Sequence, residues 1–83
     1  MAVPVTALFF AAYRDLVGFR ELPVELPDGA TVADLVMSLR ERGAPFDRLP
    51  PEPAVAVNRS YAARADALRA GDEVAFIPPV AGG

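Results

Sequence analysis

Pro27-Asp28-Gly29-Ala30-Thr31-Val32-Ala33-Asp34-Leu35-Val36-Met37-Ser38-Leu39-Arg40-Glu41-Arg42-Gly43 holds the clearest helical pattern in this chain of 83 residues. Val32, Leu35, Val36 and Leu39 fall at i, i+3, i+4 and i+7, which makes one apolar stripe suited to packing on a sheet. Thr31 is a good N-cap, and Asp34 stands three residues on, in the manner of a capping box. Arg40 and Arg42 fall in the last turn, where cations suit the helix dipole, and Gly43 stops the helix. Ahead of it, Pro27-Asp28-Gly29 reads as a turn: proline presets φ, aspartate can bond nearby backbone, and glycine accepts positive φ.

Strand patterns lie on both sides of this helix. Upstream, Val3 to Phe10 is rich in β-branched and aromatic residues. Val3, Val5, Ala7 and Phe9 form the cleaner core face; Pro4, Thr6, Leu8 and Phe10 form the other. Pro4 lacks a donor, so it belongs near the strand's start or at an unpaired position. Ala11 to Val17 changes period and reads as a short helix or a single turn closed by Gly18. Glu21 to Leu26 is a second strand, with Leu22, Val24 and Leu26 on one face. Downstream, Pro45, Pro50, Pro51 and Pro53 mark residues 44–53 as loop and argue against helix there, with Phe46 and Leu49 available to pin it to the core. Ala54 to Asn58 is a short, nearly all-apolar strand of internal character. Asn58-Arg59-Ser60 is a turn, Tyr61-Ala62 a short return, and Ala70-Gly71-Asp72 another turn. Glu73 to Pro78 is the last strand, with Val74 and Phe76 opposite Ala75 and Ile77.

One helix across a mixed sheet of about five strands is an α+β roll. The first two strands should pair as a wide hairpin, and the first and last strands should meet in the centre. Residues 1–78 form the expected domain and 79–83 a tail. The chain is 53% hydrophobic and 23% charged, a globular composition. A chain this short buries only about 60–65% of its unfolded surface, so nearly every apolar residue in regular structure must contribute.

Composition narrows the chemistry further. The chain has no Cys, His, Trp or Lys, and its eight basic residues are all Arg. That excludes a disulfide, a thiolate nucleophile, a Cys/His zinc site, a histidine-based triad and a Schiff-base lysine. The absence of lysine is what a compositional bias of the genome would produce. A net charge of −3 argues against nucleic acid as a partner. Met1-Ala2-Val3-Pro4 has no cationic leader character, and the apolar run Ala7 to Tyr13 is far below the roughly 18–20 residues needed to cross a membrane. A cytoplasmic protein with no membrane partner is the expectation. Thr6, Thr31, Ser38, Ser60, Tyr13 and Tyr61 carry hydroxyls without an activating base. Asp72 and Glu73 are adjacent and point to opposite faces of a strand, poor geometry for an acid–base pair. The scattered glycines fit no phosphate loop.

The end of the chain differs. Pro78-Pro79-Val80-Ala81-Gly82-Gly83 has no charged side chain and passes from stiff to bare. Two prolines favour an extended exit from the last strand, and Gly82-Gly83 can enter a slot that excludes any Cβ. Residues 79–83 can reach about 16 Å. A terminal carboxylate on such an arm can attack a nucleotide α-phosphate and become an acyl adenylate, open to sulfur or nitrogen nucleophiles. A frayed terminus that ends in glycines by accident is the bland alternative.

Leu8-Phe9-Phe10-Ala11-Ala12-Tyr13-Arg14-Asp15-Leu16-Val17-Gly18, Ala56-Val57-Asn58 and above all Gly71-Asp72-Glu73-Val74-Ala75-Phe76-Ile77-Pro78-Pro79-Val80-Ala81-Gly82-Gly83 carry a resemblance over nearly the whole length. The chain resembles the small subunits of molybdopterin synthase, in the MoaD/ThiS group of ubiquitin-like, β-grasp sulfur carriers. The resemblance is weakest in residues 44–53 and 59–69. It implies that an E1-like (MoeB-like) adenylating enzyme uses ATP to activate Gly83, and that a sulfur donor turns the adenylate into a thiocarboxylate. The tail, with Gly82 threading behind Gly83, then enters the large subunit and gives sulfur to cyclic pyranopterin monophosphate (precursor Z). The working assembly is a heterotetramer with the large subunit, and the carrier binds neither a cofactor nor the metal itself.

The same resemblance marks Phe10, Tyr61 and Ile77 as contacts for the large subunit and the activating enzyme, with Pro79, Val80 and Ala81 following along the tail. Phe10, Leu8 and Ile77 are expected on the sheet face away from the helix, where apolar residues make a docking patch; ordinary packing is the alternative for each. Three other functions stay open on the residues: a carrier for thiamine or tRNA thiolation, a protein modifier joined to target lysines, and a binding module with an inert tail. A modifier without lysine could not build chains on itself.

Overall fold

A computed structural model describes residues 2–79. Its elements are β1 (Ala2–Phe9), α1 (Ala11–Val17), β2 (Glu21–Pro27), α2 (Val32–Arg40), a 3-10 turn (Phe46–Arg48), β3 (Ala54–Val57), β4 (Ser60–Ala62) and β5 (Glu73–Ile77). They form one five-stranded mixed sheet in the order β2-β1-β5-β3-β4. β1 and β2 pair antiparallel from Ala2↔Pro27 to Leu8↔Glu21, the wide hairpin that α1 leaves room for. β1 and β5 pair parallel, Thr6↔Glu73 through Phe9↔Phe76, so the first and last strands do meet in the middle. Pro4 lies on β1 before the first β5 pair, so its missing donor leaves no gap in that ladder.

The core sits on one face of the sheet. Val3, Val5, Ala7 and Phe9 from β1 join Val24, Leu26, Val55, Val74 and Phe76, and the α2 stripe of Val32, Leu35, Val36 and Leu39 closes over them. Leu35 and Leu39 are wholly buried, and truncating either to alanine costs about 2–5 kcal/mol. Phe9 ties the layers together: its ring lies 5.2 Å from that of Phe76 and 6.4 Å from that of Phe46. No buried polar or charged residue occurs among the described residues.

The α2 cap forms as expected. Asp34 N donates to Thr31 Oγ1 and Thr31 N donates to Asp34 Oδ2. The other end differs from expectation. The helix stops at Arg40 with Glu41 as its C-cap, and Arg42 lies outside it. Arg42 N bonds Leu39 O and Gly43 N bonds Arg40 O, so the chain tightens to i→i−3 bonds before Gly43 reaches its positive φ. The Arg42 guanidinium lies over the Phe46 ring instead, 5.7 Å from its centroid.

The proline-rich loop also departs from expectation, because prolines do not forbid a single turn. Pro45 is the N-cap of the 3-10 turn, where no donor is required of it, and Arg48 N and Leu49 N bond back to Pro45 O and Phe46 O. Phe46 and Leu49 are buried, as read from sequence. The Arg40 side chain locks the loop down by donating from Nε to Leu49 O at 2.9 Å.

Asn58 and Arg59 close the β3–β4 hairpin with φ of 50° and 73°. Two positive φ values in a two-residue loop are the signature of a type I′ turn, which favours glycine at the second position. Arg59→Gly is therefore expected to stabilise the fold by about 0.5–1 kcal/mol, read as a higher urea midpoint; an unchanged or lower midpoint would contradict this account of the turn.

Candidate functional site

Among the described residues, no helix covers the face of the sheet opposite α2. Cross-strand registers place one row of residues across it: Glu21, Leu8, Ala75, Ala56 and Tyr61. Ile77 continues the same face of β5, paired with Ala54. Ala75 and Ala56 make the floor of this row low and flat, and Leu8 and Tyr61 rise at either side. Leu8, Ala75 and Ile77 are half-buried, whereas Tyr61 is 80% exposed. A phenol ring left this bare on a short edge strand is an anchor without a pocket of its own, the profile of an interface residue.

Phe10 is exposed and carries the extended backbone one residue past β1, with φ −119° and ψ 152°. β1 ends at Phe9, and Phe10 is the N-cap of α1. Ala11 has φ +46°, an uncommon conformation for a residue with a Cβ, and it turns the chain out of the strand direction at this point. Tyr13 N then bonds Phe10 O at 3.0 Å, which starts the helix. Phe10 nevertheless stays beside the open face, because it shares a surface hollow with Leu8. Pro79 is exposed just beyond β5. Val80, Ala81, Gly82 and Gly83 lie outside the described residues, as does the greater part of the expected 79–83 tail.

The structure supplies a frame that the sequence reading took only as turns. Asn58 joins the β3–β4 turn to the start of β5. Its Nδ2 donates to Asp72 Oδ1 at 2.9 Å, its Oδ1 accepts from Glu73 N at 3.0 Å, and its own N bonds Glu73 O at 2.8 Å. Asp72 Oδ2 also accepts from Arg69 N. Asp72 is thus a turn clamp rather than half of an acid–base pair. The signal for this was the pairing of Asn58 with Asp72 on either side of two turns, visible only once β3 and β5 are known to be neighbours.

No described side chain is set up for covalent chemistry. Burial pushes the Tyr13 phenol above its ordinary pKa. No group of three or more His, Cys, Asp or Glu among the described residues could hold a metal, and no helix among them is long and apolar enough to cross a membrane.

The model of the ThiS family matches residues 7–83. A molybdopterin synthase sulfur carrier subunit of Chlamydomonas reinhardtii is 37% identical over 81 residues, covering 95% of this chain and 98% of the relative. That of Mycobacterium tuberculosis is 37% identical over 84 residues, covering 98% and 99%. The crystal structure of small archaeal modifier protein 1 from Haloferax volcanii superposes with a TM-score of 0.73 at 30% identity, covering 94% of this chain and 99% of that one.

Frame and face should separate in unfolding experiments. Asn58→Ala is expected to cost about 1–3 kcal/mol, because it removes two hydrogen bonds, to Asp72 Oδ1 and from Glu73 N, each worth about 0.5–1.5 kcal/mol. Tyr61→Ala should change stability by less than about 0.5 kcal/mol. Equal losses in urea titrations of the two variants would contradict the division.

Proposed function

The chain belongs to the ThiS family of ubiquitin-like β-grasp proteins, and from that premise we propose that it is the sulfur carrier subunit of a molybdopterin synthase. The observation that carries this is the joint one: a helix-free apolar face beside the strand that leads to the Gly-Gly end, in a chain without a side chain fit for covalent catalysis. The relatives named as sulfur carrier subunits support it, since the match to them runs nearly end to end.

In this reading the Gly83 carboxylate attacks the α-phosphate of ATP on an E1-like, MoeB-like activating enzyme and expels pyrophosphate. A sulfur donor then displaces AMP and leaves a thiocarboxylate. Gly82 and Gly83 thread into the large subunit, where the sulfur passes to cyclic pyranopterin monophosphate on the way to the dithiolene. ATP is used on the activating enzyme, and the molybdenum that the finished dithiolene holds is cargo added later. Leu8, Ile77 and Tyr61 on the open face, with Phe10 beside it, supply the docking energy. Pro79, Val80 and Ala81 span from the sheet to the reacting end. The small subunit contributes the donor and is not catalytic alone; it works in the cytoplasm as part of a heterotetramer with the large subunit.

A second reading has one observation in its favour, the likeness to a small archaeal modifier protein. A modifier would place Gly83 in amide linkage to target lysines, giving high-mass ladders that vanish when Gly83 is deleted. Carriers for thiamine or tRNA thiolation share the same end chemistry, and differ in which large partner copurifies.

Deletion of Gly83 tests the proposal. Conversion of precursor Z by the reconstituted synthase should be abolished, while thermal unfolding stays within a degree or so of the parent, since residues 2–79 hold the core. Conversion that survives the deletion would sink the assignment.

A further inference from the structure

Among the described residues the one salt bridge joins Arg64 and Glu52. Arg14 and Arg20 are both exposed and neither has an ionic partner among those residues. They come from different elements, Arg14 from α1 and Arg20 from the residue before β2, yet they line one hollow of about 350 Å³ with Leu8, Phe9, Phe10 and Glu21. The backbone fixes this meeting. Phe9 N bonds Arg20 O at 2.9 Å, and Arg14 N reaches back to Phe10 O at 3.4 Å. The hollow is continuous with the open face, because Leu8 belongs to both.

We propose that this hollow is a charge-reading extension of the docking face, and that it receives a partner segment carrying a carboxylate next to an apolar side chain. The apolar side chain packs on Leu8 and Phe10, and the carboxylate meets the Arg14 and Arg20 guanidinium groups. This inference rests on the carrier function proposed above, in which the large subunit docks on the open face. Charge complementarity selects the occupant. The chain as a whole carries a net charge of −3, which disfavours an acidic partner overall, and Arg14 and Arg20, lining one hollow without an ionic partner, offset that locally. Glu21 is the one acidic residue on the hollow's wall, and it opposes the incoming carboxylate. The two arginines therefore set where along the face the partner comes to rest, while Tyr61 at the far side of the row supplies apolar contact.

The test measures binding of the full chain to the molybdopterin synthase large subunit by titration calorimetry. The double variant Arg14→Gln/Arg20→Gln is expected to bind about tenfold more weakly at about 50 mM salt, and the difference should shrink severalfold at about 500 mM. Glu21→Gln is expected to bind about two- to threefold more tightly at low salt. Thermal unfolding should be the same for all, since each residue is exposed. A double variant with the parent's Kd and salt dependence overturns the proposal, and if Tyr61→Ala still weakens binding, the docking face stands without it. Low-salt self-association of the parent that the double variant lacks, with equal binding of both to the large subunit, would make the occupant a second copy and also overturn it. Failure of the parent chain to bind the large subunit at any salt overturns the carrier function and this inference together.

Discussion

The parallel pairing of β1 with β5 at the centre of the sheet is the contact on which the rest of this molecule depends. Non-local parallel strands need a long crossover and are held chiefly by what they bury. Here that burial is Phe9 against Phe76 and Ala7 beside Val74, roofed by α2. With this pair in place, the odd-numbered residues of β1 must face the core. Leu8, Ala75 and Ile77 are then turned together onto the opposite face. The same register brings the end of β5 level with the end of β1, so that residues 78–79 leave the sheet beyond the Phe9↔Phe76 pair. Core, docking face and exit point are three consequences of one register.

The two faces carry different demands. The α2 side is dense and apolar, and it accounts for the fold's stability. The open side is low and alanine-floored, and its exposed aromatic residues contribute little to folding. Polar clamps keep the open side in shape. Asn58 and Asp72 fasten the β3–β4 hairpin to the start of β5, which sets the height at which Tyr61 stands relative to Ala56 and Ala75.

The strands and α2 were legible because their signals are periodic. Val3, Val5, Ala7 and Phe9 alternate cleanly, and Val32, Leu35, Val36 and Leu39 keep a helical stripe under a capping box. What escaped was set by single dihedrals or by tertiary neighbours. Phe10 continues the alternation of β1; the positive φ of Ala11, which no pattern announces at an alanine, ends the strand there and starts α1. Phe46 to Arg48 forms a 3-10 turn because Pro45 sits at its cap, where proline is harmless. Asn58 and Asp72 read as separate turn residues until strand order made them partners. Arg14 and Arg20 share no sequence pattern for the same reason: only the β1–β2 hairpin and α1 bring them to one hollow.

For the function, the informative feature of the sequence was what its side chains lack. Without cysteine, histidine or lysine, the chain has no ordinary nucleophile, and attention moves to the carboxylate of Gly83. The fold adds an open face that includes β5, the last strand before that end in sequence. The most direct measurement is the intact mass of the full chain after incubation with the activating enzyme, ATP and a sulfur donor. Replacement of one terminal oxygen by sulfur, confined to the Gly83 fragment, is the expected result. A mass that never changes, under conditions in which the enzyme thiolates its own established carrier, would contradict the account.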